Sequence, residues 1–73
     1  MKVITKNSVY IIDVKKKIVT GGVLANRNLY YDHIGSVNKG QRLFFYDNNN
    51  NILLKTSPIQ DITASLFDDE FVK

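Results

Sequence analysis

Short runs of β-branched and aromatic residues recur along this chain, and turn-forming residues separate them at intervals of about 8 to 12 residues. The runs are KVIT, SVYIIDV, KIVTGGVL, LYYDHIGSV, QRLFFYD and NILLKTS. Apolar residues alternate with others along them, which is typical of strands rather than helices. Short strands joined by tight turns form a meander that curls on itself. The sequence therefore predicts an all-β fold, a bent antiparallel sheet or small barrel of five or six strands.

The C-terminal part has two interpretations. The letters SPIQ from Ser57 fit an N-cap, a first helical proline and a capping-box glutamine. The β-branched residues that follow, and the tolerance of proline on edge strands, favour an extended segment instead. We favour an extended segment through Ile62, followed by a short helical or irregular tail. This divides the chain into a single β domain, residues 1–65, and an acidic and apolar tail, residues 66–73.

The size of the chain limits its core. It has 73 residues and no cysteine, so the core is thin and no disulfide can brace it. Oligomerisation is a general way to bury more area, and a homo-oligomer is expected. No apolar run approaches the ~20 residues of a membrane span, and no signal-peptide pattern is present. We therefore expect a cytoplasmic protein without a membrane partner.

The charge is unevenly distributed. Residues 1–60 hold nine Lys and Arg against three acids, a net charge of +6, whereas residues 61–73 carry −3. A basic body favours an anionic partner such as phosphate, although the same charge also keeps a small domain in solution. In the tail, Leu66, Phe67 and Phe71 stand among acids. We expect these three residues to form an interface with a sister subunit or a host protein, or to fold back on the basic body.

Most catalytic chemistries find no support in the sequence. The chain has one histidine and no cysteine, which makes a zinc site improbable. Strand alternation would direct Asp32 away from His33, so the histidine would have no orienting carboxylate. No glycine-rich nucleotide loop is present. We therefore expect a binding protein that is not an enzyme and holds neither metal nor cofactor.

Aromatic rings are concentrated in residues 28–47, which hold five of the eight Phe and Tyr residues in two runs around a glycine turn. Alternation distributes these rings over both faces of both runs. One sheet face cannot bury all of them unless the other is also covered, by a second subunit or by a flat ligand. The alternative is a core supplemented by ordinary half-exposed tyrosines.

The pairing of rings with arginines suggests one type of ligand. An aromatic face stacks on a nucleobase, and a guanidinium holds a phosphate by two parallel hydrogen bonds. We predict that Arg27 and Arg42 hold phosphate, Tyr31 and Tyr46 stack on the base, and His33 donates or accepts a hydrogen bond. A free nucleotide and a single-stranded nucleic acid fit this pattern equally well.

Two segments resemble small orphan proteins of phages and prophages. These are TKNSVYIIDV, residues 5–14, and TSPI, residues 56–59, which match a leading TKNS-Y-x-D hairpin and a closing TSP-V/I strand. The resemblance implies a phage-type accessory protein acting in the cytoplasm of a host cell. Such proteins often inhibit bacterial defence, some by oligomerising around a nucleotide immune signal and sequestering it, others by binding a defence protein directly. The resemblance assigns no functional residue.

Overall fold

In a computed structural model, which describes residues 1–63, the chain forms one antiparallel sheet of seven strands in the order β4-β3-β2-β1-β7-β6-β5. The strands are β1 (Lys2–Thr5), β2 (Val9–Asp13), β3 (Ile18–Gly21), β4 (Leu29–Tyr30), β5 (His33–Ile34), β6 (Arg42–Tyr46) and β7 (Ile52–Thr63). A 3-10 turn, η1 (Gly22–Leu24), follows β3. The predicted all-β, bent antiparallel fold is confirmed, whereas the strand count of five or six is wrong.

The additional strand arises because the predicted fourth strand is divided. Its first part is β4, which pairs with β3, and its second part is β5, which pairs with β6. Two residues join these opposite edges of the sheet. The Tyr31 N–H donates to the Lys17 carbonyl (3.0 Å), and the next N–H, of Asp32, donates to the Tyr46 carbonyl (2.8 Å). A two-residue link between the edges requires the sheet to curl on itself.

Strand β7 connects the two halves of the curled sheet. It has 12 residues, and it pairs with β6 along its first part and with β1 along its last part. The register shifts twice against β6 and once against β1, and such bulges bend a strand. Pro58, which has no N–H to donate, lies where β7 changes neighbours and accepts a hydrogen bond from the Lys6 N–H (3.1 Å). The extended interpretation of this segment is confirmed through Thr63; the tail, residues 66–73, lies outside the described residues.

The core lies inside the curl. Alternating residues of β1, β2 and β6 point inward, and η1 contributes no buried residue. The buried apolar residues are Val3, Tyr10, Ile12, Val19, Tyr31, Leu43, Phe45 and Ile59. Continued alternation along β2 would place Val14 on the core face of Tyr10 and Ile12, but β2 ends at Asp13 and the Val14 side chain is 45% exposed. The alternation rule fails there because the strand has already ended.

The glycine pair at the end of β3 permits a close approach to β2. Gly21 has φ 97°, and a Cβ at this position would lie 2.5 Å from the Val9 carbonyl oxygen. A Cβ on Gly22 would overlap the Tyr10 ring. These positions therefore need glycine for both conformation and space.

The three consecutive lysines form the turn between β2 and β3. The Asp13 carboxylate accepts hydrogen bonds from the N–H groups of Lys15 (3.1 Å) and Lys16 (3.0 Å), and Lys17 has φ 57°. All three lysines are exposed, as expected for a hairpin end. Within residues 1–63, the structure has no helix with the length and apolar character needed to cross a membrane.

Candidate functional site

The outward-facing residues of β6 form the most ring-rich surface of the described chain. Leu43 and Phe45 point into the core, so Arg42, Phe44 and Tyr46 lie on the outer side of the strand. We call this surface the β6 outer face. With one residue from each neighbouring strand, it comprises His33, Arg42, Phe44, Tyr46 and Lys55.

Three rings stack in sequence along this face. His33 of β5 is the direct cross-strand partner of Tyr46, and the two rings are nearly parallel, with centroids 4.9 Å apart and planes at 15°. Phe44 also stacks on Tyr46, with centroids 6.3 Å apart and planes at 19°. All three side chains are partly exposed. The stack is therefore accessible from solvent.

Asp32 holds the imidazole of His33 in this orientation. His33 Nδ1 lies 2.8 Å from Asp32 Oδ2, and because an ionised carboxylate only accepts, the imidazole N–H donates. The expectation that Asp32 points away from His33 is wrong. Asp32 lies in the bend between β4 and β5, where the alternation of a regular strand does not apply. The hydrogen bond restricts rotation of the ring that stacks on Tyr46.

Two cationic side chains share this face with the stack. The Arg42 guanidinium donates through Nη1 to the Thr56 carbonyl oxygen (3.2 Å), which holds it beside β7 on the same face as Phe44. Lys55 of β7 is the direct cross-strand partner of Phe44 and is exposed. Directly opposite side chains in an antiparallel pair have Cβ atoms about 5 Å apart. A ring face and two positive charges therefore lie within the span of a small ligand.

The turn after β6 places a carboxylate at the end of the stack. Asp47 Oδ1 accepts from the N–H groups of Asn49 (2.8 Å) and Asn51 (2.9 Å), and Oδ2 accepts from the Asn51 side-chain amide (3.2 Å). The bond from the Asn51 backbone N–H contributes most to lowering the pKa of Asp47 below its usual 3.8, and the charge of His33 also lowers it. Because its pKa is lowered, the Asp47 carboxyl stays ionised in ordinary buffers. Its hydrogen bonds to Asn49 and Asn51 close the β6–β7 turn.

The structure brings together three of the five predicted ligand-binding residues. Arg42, Tyr46 and His33 share the β6 outer face. Tyr31 belongs to the core instead: it is 8% exposed, and its ring packs edge-on against Phe45, with centroids 5.2 Å apart. Arg27 is exposed in the loop before β4, whose partner is β3, at the other edge of the sheet.

Two residues of this face were not among the predicted ligand-binding residues. Phe44 shares the alternation pattern of Arg42 and Tyr46, so the sequence contained the signal for it. Lys55 could not be found in this way, because the register of β6 against β7 shifts on both sides of the Phe44–Lys55 pair. The predicted interface residues Leu66, Phe67 and Phe71 lie outside the described part of the chain.

Among residues 1–63, no group of three or more His, Asp or Glu side chains is arranged to hold a metal ion. Comparisons with protein-family models, with curated proteins and with solved structures gave no match to this chain. The site is therefore interpreted from its own geometry and chemistry.

Proposed function

We propose that this protein is a non-enzymatic binder of nucleotide-type anions and that the ligand lies on the β6 outer face. The observation that carries the proposal is the solvent-accessible stack of His33, Tyr46 and Phe44, with two cationic side chains on the same face. Most aromatic side chains of so small a domain would be expected to serve the core. Here a row of rings is held outside it.

The chemistry of the face fits a base joined to a phosphate. Stacking of a base on an aromatic side chain contributes about 1–3 kcal/mol. In this proposal the base lies on the ring of Phe44, at the Arg42 end of the stack. The Arg42 guanidinium and the Lys55 ammonium then bind the phosphate, since both lie on the same side of the sheet as that ring.

The proposed biological role is to counter a bacterial defence system. The resemblance of residues 5–14 and 56–59 to small phage proteins supports it, together with the basic body of the domain. The protein would act by sequestering a nucleotide-derived immune signal in the host cell as a homo-oligomer. Ile52 and Leu53, next to Tyr46 along the β6–β7 hairpin, are 57% and 40% exposed and offer an apolar surface for self-association.

Calorimetry against a panel of cyclic nucleotides and ADP-ribose derivatives tests the ligand class. We expect saturable binding to at least one member. Phe44→Ala should weaken it by roughly tenfold to a hundredfold, the loss expected for one stacked base. Tyr30→Ala is the matched control, because Tyr30 is 67% exposed but lies on β4, at the other edge of the sheet. No binding across the panel would leave this proposal without support.

The arginines allow a second comparison with the same calorimetric measurement. Arg42→Gln should weaken binding at least about tenfold, because a charge-assisted bidentate contact is lost. Arg27→Gln removes the same charge from the loop before β4 and should have little effect. Equal losses would indicate attraction by net charge alone and would contradict a site on the β6 outer face.

A single-strand nucleic-acid binder is the second candidate, and the length of the stack favours it. Three rings in sequence offer more stacking surface than one mononucleotide uses. Binding of this kind falls steeply with salt because counterions are released from the phosphates. A gel shift with a 20-mer oligonucleotide at two salt concentrations separates the candidates. Retardation that is absent, or independent of salt, would argue against nucleic acid.

A further inference from the structure

The first part of β7 has a paired strand on one side only. β6 pairs with β7 between Ile52 and Pro58, whereas β1 pairs with it between Ile59 and Thr63, so the two neighbours lie beside different parts of the strand. In the described part of the chain, residues 52–55 therefore have no strand on the side that β1 occupies further along. We call this side of residues 52–55 the open β7 edge. An open edge presents unpaired N–H and C=O groups to which another extended segment can pair.

The hydrogen bonds of β6 show how the backbone of β7 is oriented at this edge. The carbonyls of Phe44 and Tyr46 both accept hydrogen bonds (2.9 and 2.8 Å) from N–H groups of the segment that contains β5. Neighbouring residues of an antiparallel strand direct their backbone groups to opposite sides. Phe45 therefore faces β7, where its partner is Leu54. The backbone groups of Leu54 in turn face β6.

The neighbours of Leu54, which are Leu53 and Lys55, then direct their N–H and C=O groups to the open β7 edge. Side chains along this edge are accessible as well. Ile52 is 57% exposed, Leu53 is 40% exposed, and Lys55 is exposed. The edge thus combines free backbone groups with exposed apolar side chains over about 13 Å, the length of four extended residues.

We propose that the open β7 edges of two copies of this chain pair antiparallel about a twofold axis at Leu54. Leu54 then lies opposite Leu54 of the second copy, and Leu53 lies opposite Lys55 of the second copy. Each Leu53–Lys55 pair exchanges both of its N–H···O bonds, because both residues direct their backbone groups to this edge. An axis at Leu53 would place Lys55 opposite Asn51, whose carbonyl already accepts from the Asp47 N–H (3.0 Å). An axis at Lys55 would oppose two like charges.

The side chains of this register suit a second copy as the occupant. The aliphatic stem of Lys55 lies beside Leu53 of the second copy, while its ammonium stays in water. On the other face of the sheet, Leu54 packs against the core and meets its own counterpart, so apolar contact joins the two cores. One segment thus supplies both the free backbone groups and the side chains that match them. A twofold contact between identical surfaces requires this self-complementarity.

The pairing gives the homo-oligomer of the proposed function its interface, and it rests on that proposal for its biological use only. A twofold axis perpendicular to the sheet keeps the same face on the same side in both copies. The two β6 outer faces therefore lie on one side of a continuous sheet. Two β7 strands separate each β6 from its counterpart, a span of roughly 14 Å between the β6 strands.

Sedimentation equilibrium without nucleotide tests the pairing, so a failure of the ligand proposal does not affect the result. We expect the natural protein to form dimers as its concentration rises. Leu53→Lys opposes like charges, whereas Leu53→Glu places a carboxylate opposite Lys55 of the second copy. The dissociation constant of the dimer should be at least about tenfold higher for Leu53→Lys than for Leu53→Glu, because each dimer contains this pair twice.

Val23→Lys and Val23→Glu are the matched controls. They change the net charge in the same way at a residue of η1 that is 68% exposed, and their dissociation constants should be similar. Both replaced positions are exposed, so none of these changes should prevent folding. A natural protein that stays monomeric at all concentrations would overturn the proposal, in favour of another occupant of the edge. Equal differences at the two positions would also overturn it, because net charge alone would then explain them.

Disulfide trapping tests the register separately, because the natural chain has no cysteine. Leu54→Cys should give a disulfide-linked dimer, since the Cα atoms of such a directly opposite pair lie about 4.5 Å apart, within the range of disulfides. Leu53→Cys is the control, because its counterpart lies one strand across and two residues along, roughly 8 Å away and beyond that range. Non-reducing electrophoresis measures both rates. Trapping of Leu53→Cys that is as fast as that of Leu54→Cys would overturn the axis at Leu54.

Discussion

Adjacent tyrosines in this protein have opposite roles. Tyr30 is 67% exposed on β4, whereas Tyr31 is 8% exposed and packs edge-on against Phe45. Burial raises the pKa of the Tyr31 phenol above its usual value, and the negative charge of Asp13 adds to the effect. Tyr31 therefore stabilises the link between the two edges of the sheet, and it has no ring face to offer a ligand.

Glycine is required at the end of β3 for space as well as conformation. We expect Gly21→Ala to destabilise the protein more than Gly40→Ala. The φ values are 97° and 87°, so both changes should cost about 1–3 kcal/mol in backbone strain. Only at Gly21 would the new Cβ also meet the Val9 carbonyl oxygen, at 2.5 Å; at Gly40 there is nothing within 4 Å. Urea unfolding of the two variants measures the difference, and equal losses would contradict a tight β2–β3 approach.

At the scale of the elements, the hairpin of β6 and β7 contains two of the three register shifts of the described sheet and most of the candidate site. Between the pairs Arg42–Pro58 and Phe44–Lys55 the register shifts. There the Leu43 N–H donates to the Thr56 hydroxyl oxygen (3.0 Å), and the hydroxyl donates to the Ser57 carbonyl (2.7 Å). The hydroxyl of the buried Thr56 thus replaces a backbone acceptor, so the Leu43 N–H keeps a partner at the bulge.

Thr56→Val tests this replacement with almost no change of shape. We expect it to lower the free energy of unfolding by about 1–3 kcal/mol, because the buried Leu43 N–H loses its acceptor. Hydrogen exchange at the Leu43 amide should accelerate in this variant. Thr56→Ser is the control, since it keeps the hydroxyl and should keep the Leu43 amide protected. Unchanged exchange in Thr56→Val would contradict the role of the hydroxyl.

The β6–β7 turn should respond to acid through Asp47. The pKa of this carboxyl is lowered in the folded state, so its contribution to stability is complete above the usual value of 3.8 and disappears as the pH falls through the lower folded value. We expect the natural protein to be more stable than Asp47→Asn at pH 6, with the gap narrowing below about pH 4. Thermal unfolding across this range measures the gap. A gap that widens toward low pH would contradict the assignment.

At the scale of the whole molecule, the described part is a curled sheet whose two edges are short and directly connected. Each edge strand, β4 and β5, has two residues, whereas β7, between β1 and β6, has 12. Inside the curl lie the core side chains. Outside it lies the β6 outer face.

This arrangement predicts a gradient of hydrogen exchange. Backbone amides of β1, β2 and β6 should exchange slowest, because residues of these strands are paired on both sides. Amides in η1 and in the turns at both ends of β2 should exchange fastest. Exchange followed by NMR checks this order. Uniform protection, or slow exchange in the turns with fast exchange in β1, would contradict the strand order.

The sequence by itself determined that the chain forms antiparallel strands and which residues of β6 share a face. Alternation in RLFFY separates Leu43 and Phe45 from Arg42, Phe44 and Tyr46, because successive side chains of a strand point to opposite sides whatever surrounds them.

Only the tertiary structure decided which of these sides is covered, since burial depends on what packs against a face. It also decided that LYYDHIGSV divides at Tyr31, since closing the curl joins edges that are far apart in the strand order. Likewise, Lys55 faces Phe44 only through a register that two bulges shift. Local pattern therefore assigned residues to faces, and long-range pairing assigned those faces to the core or to the candidate site.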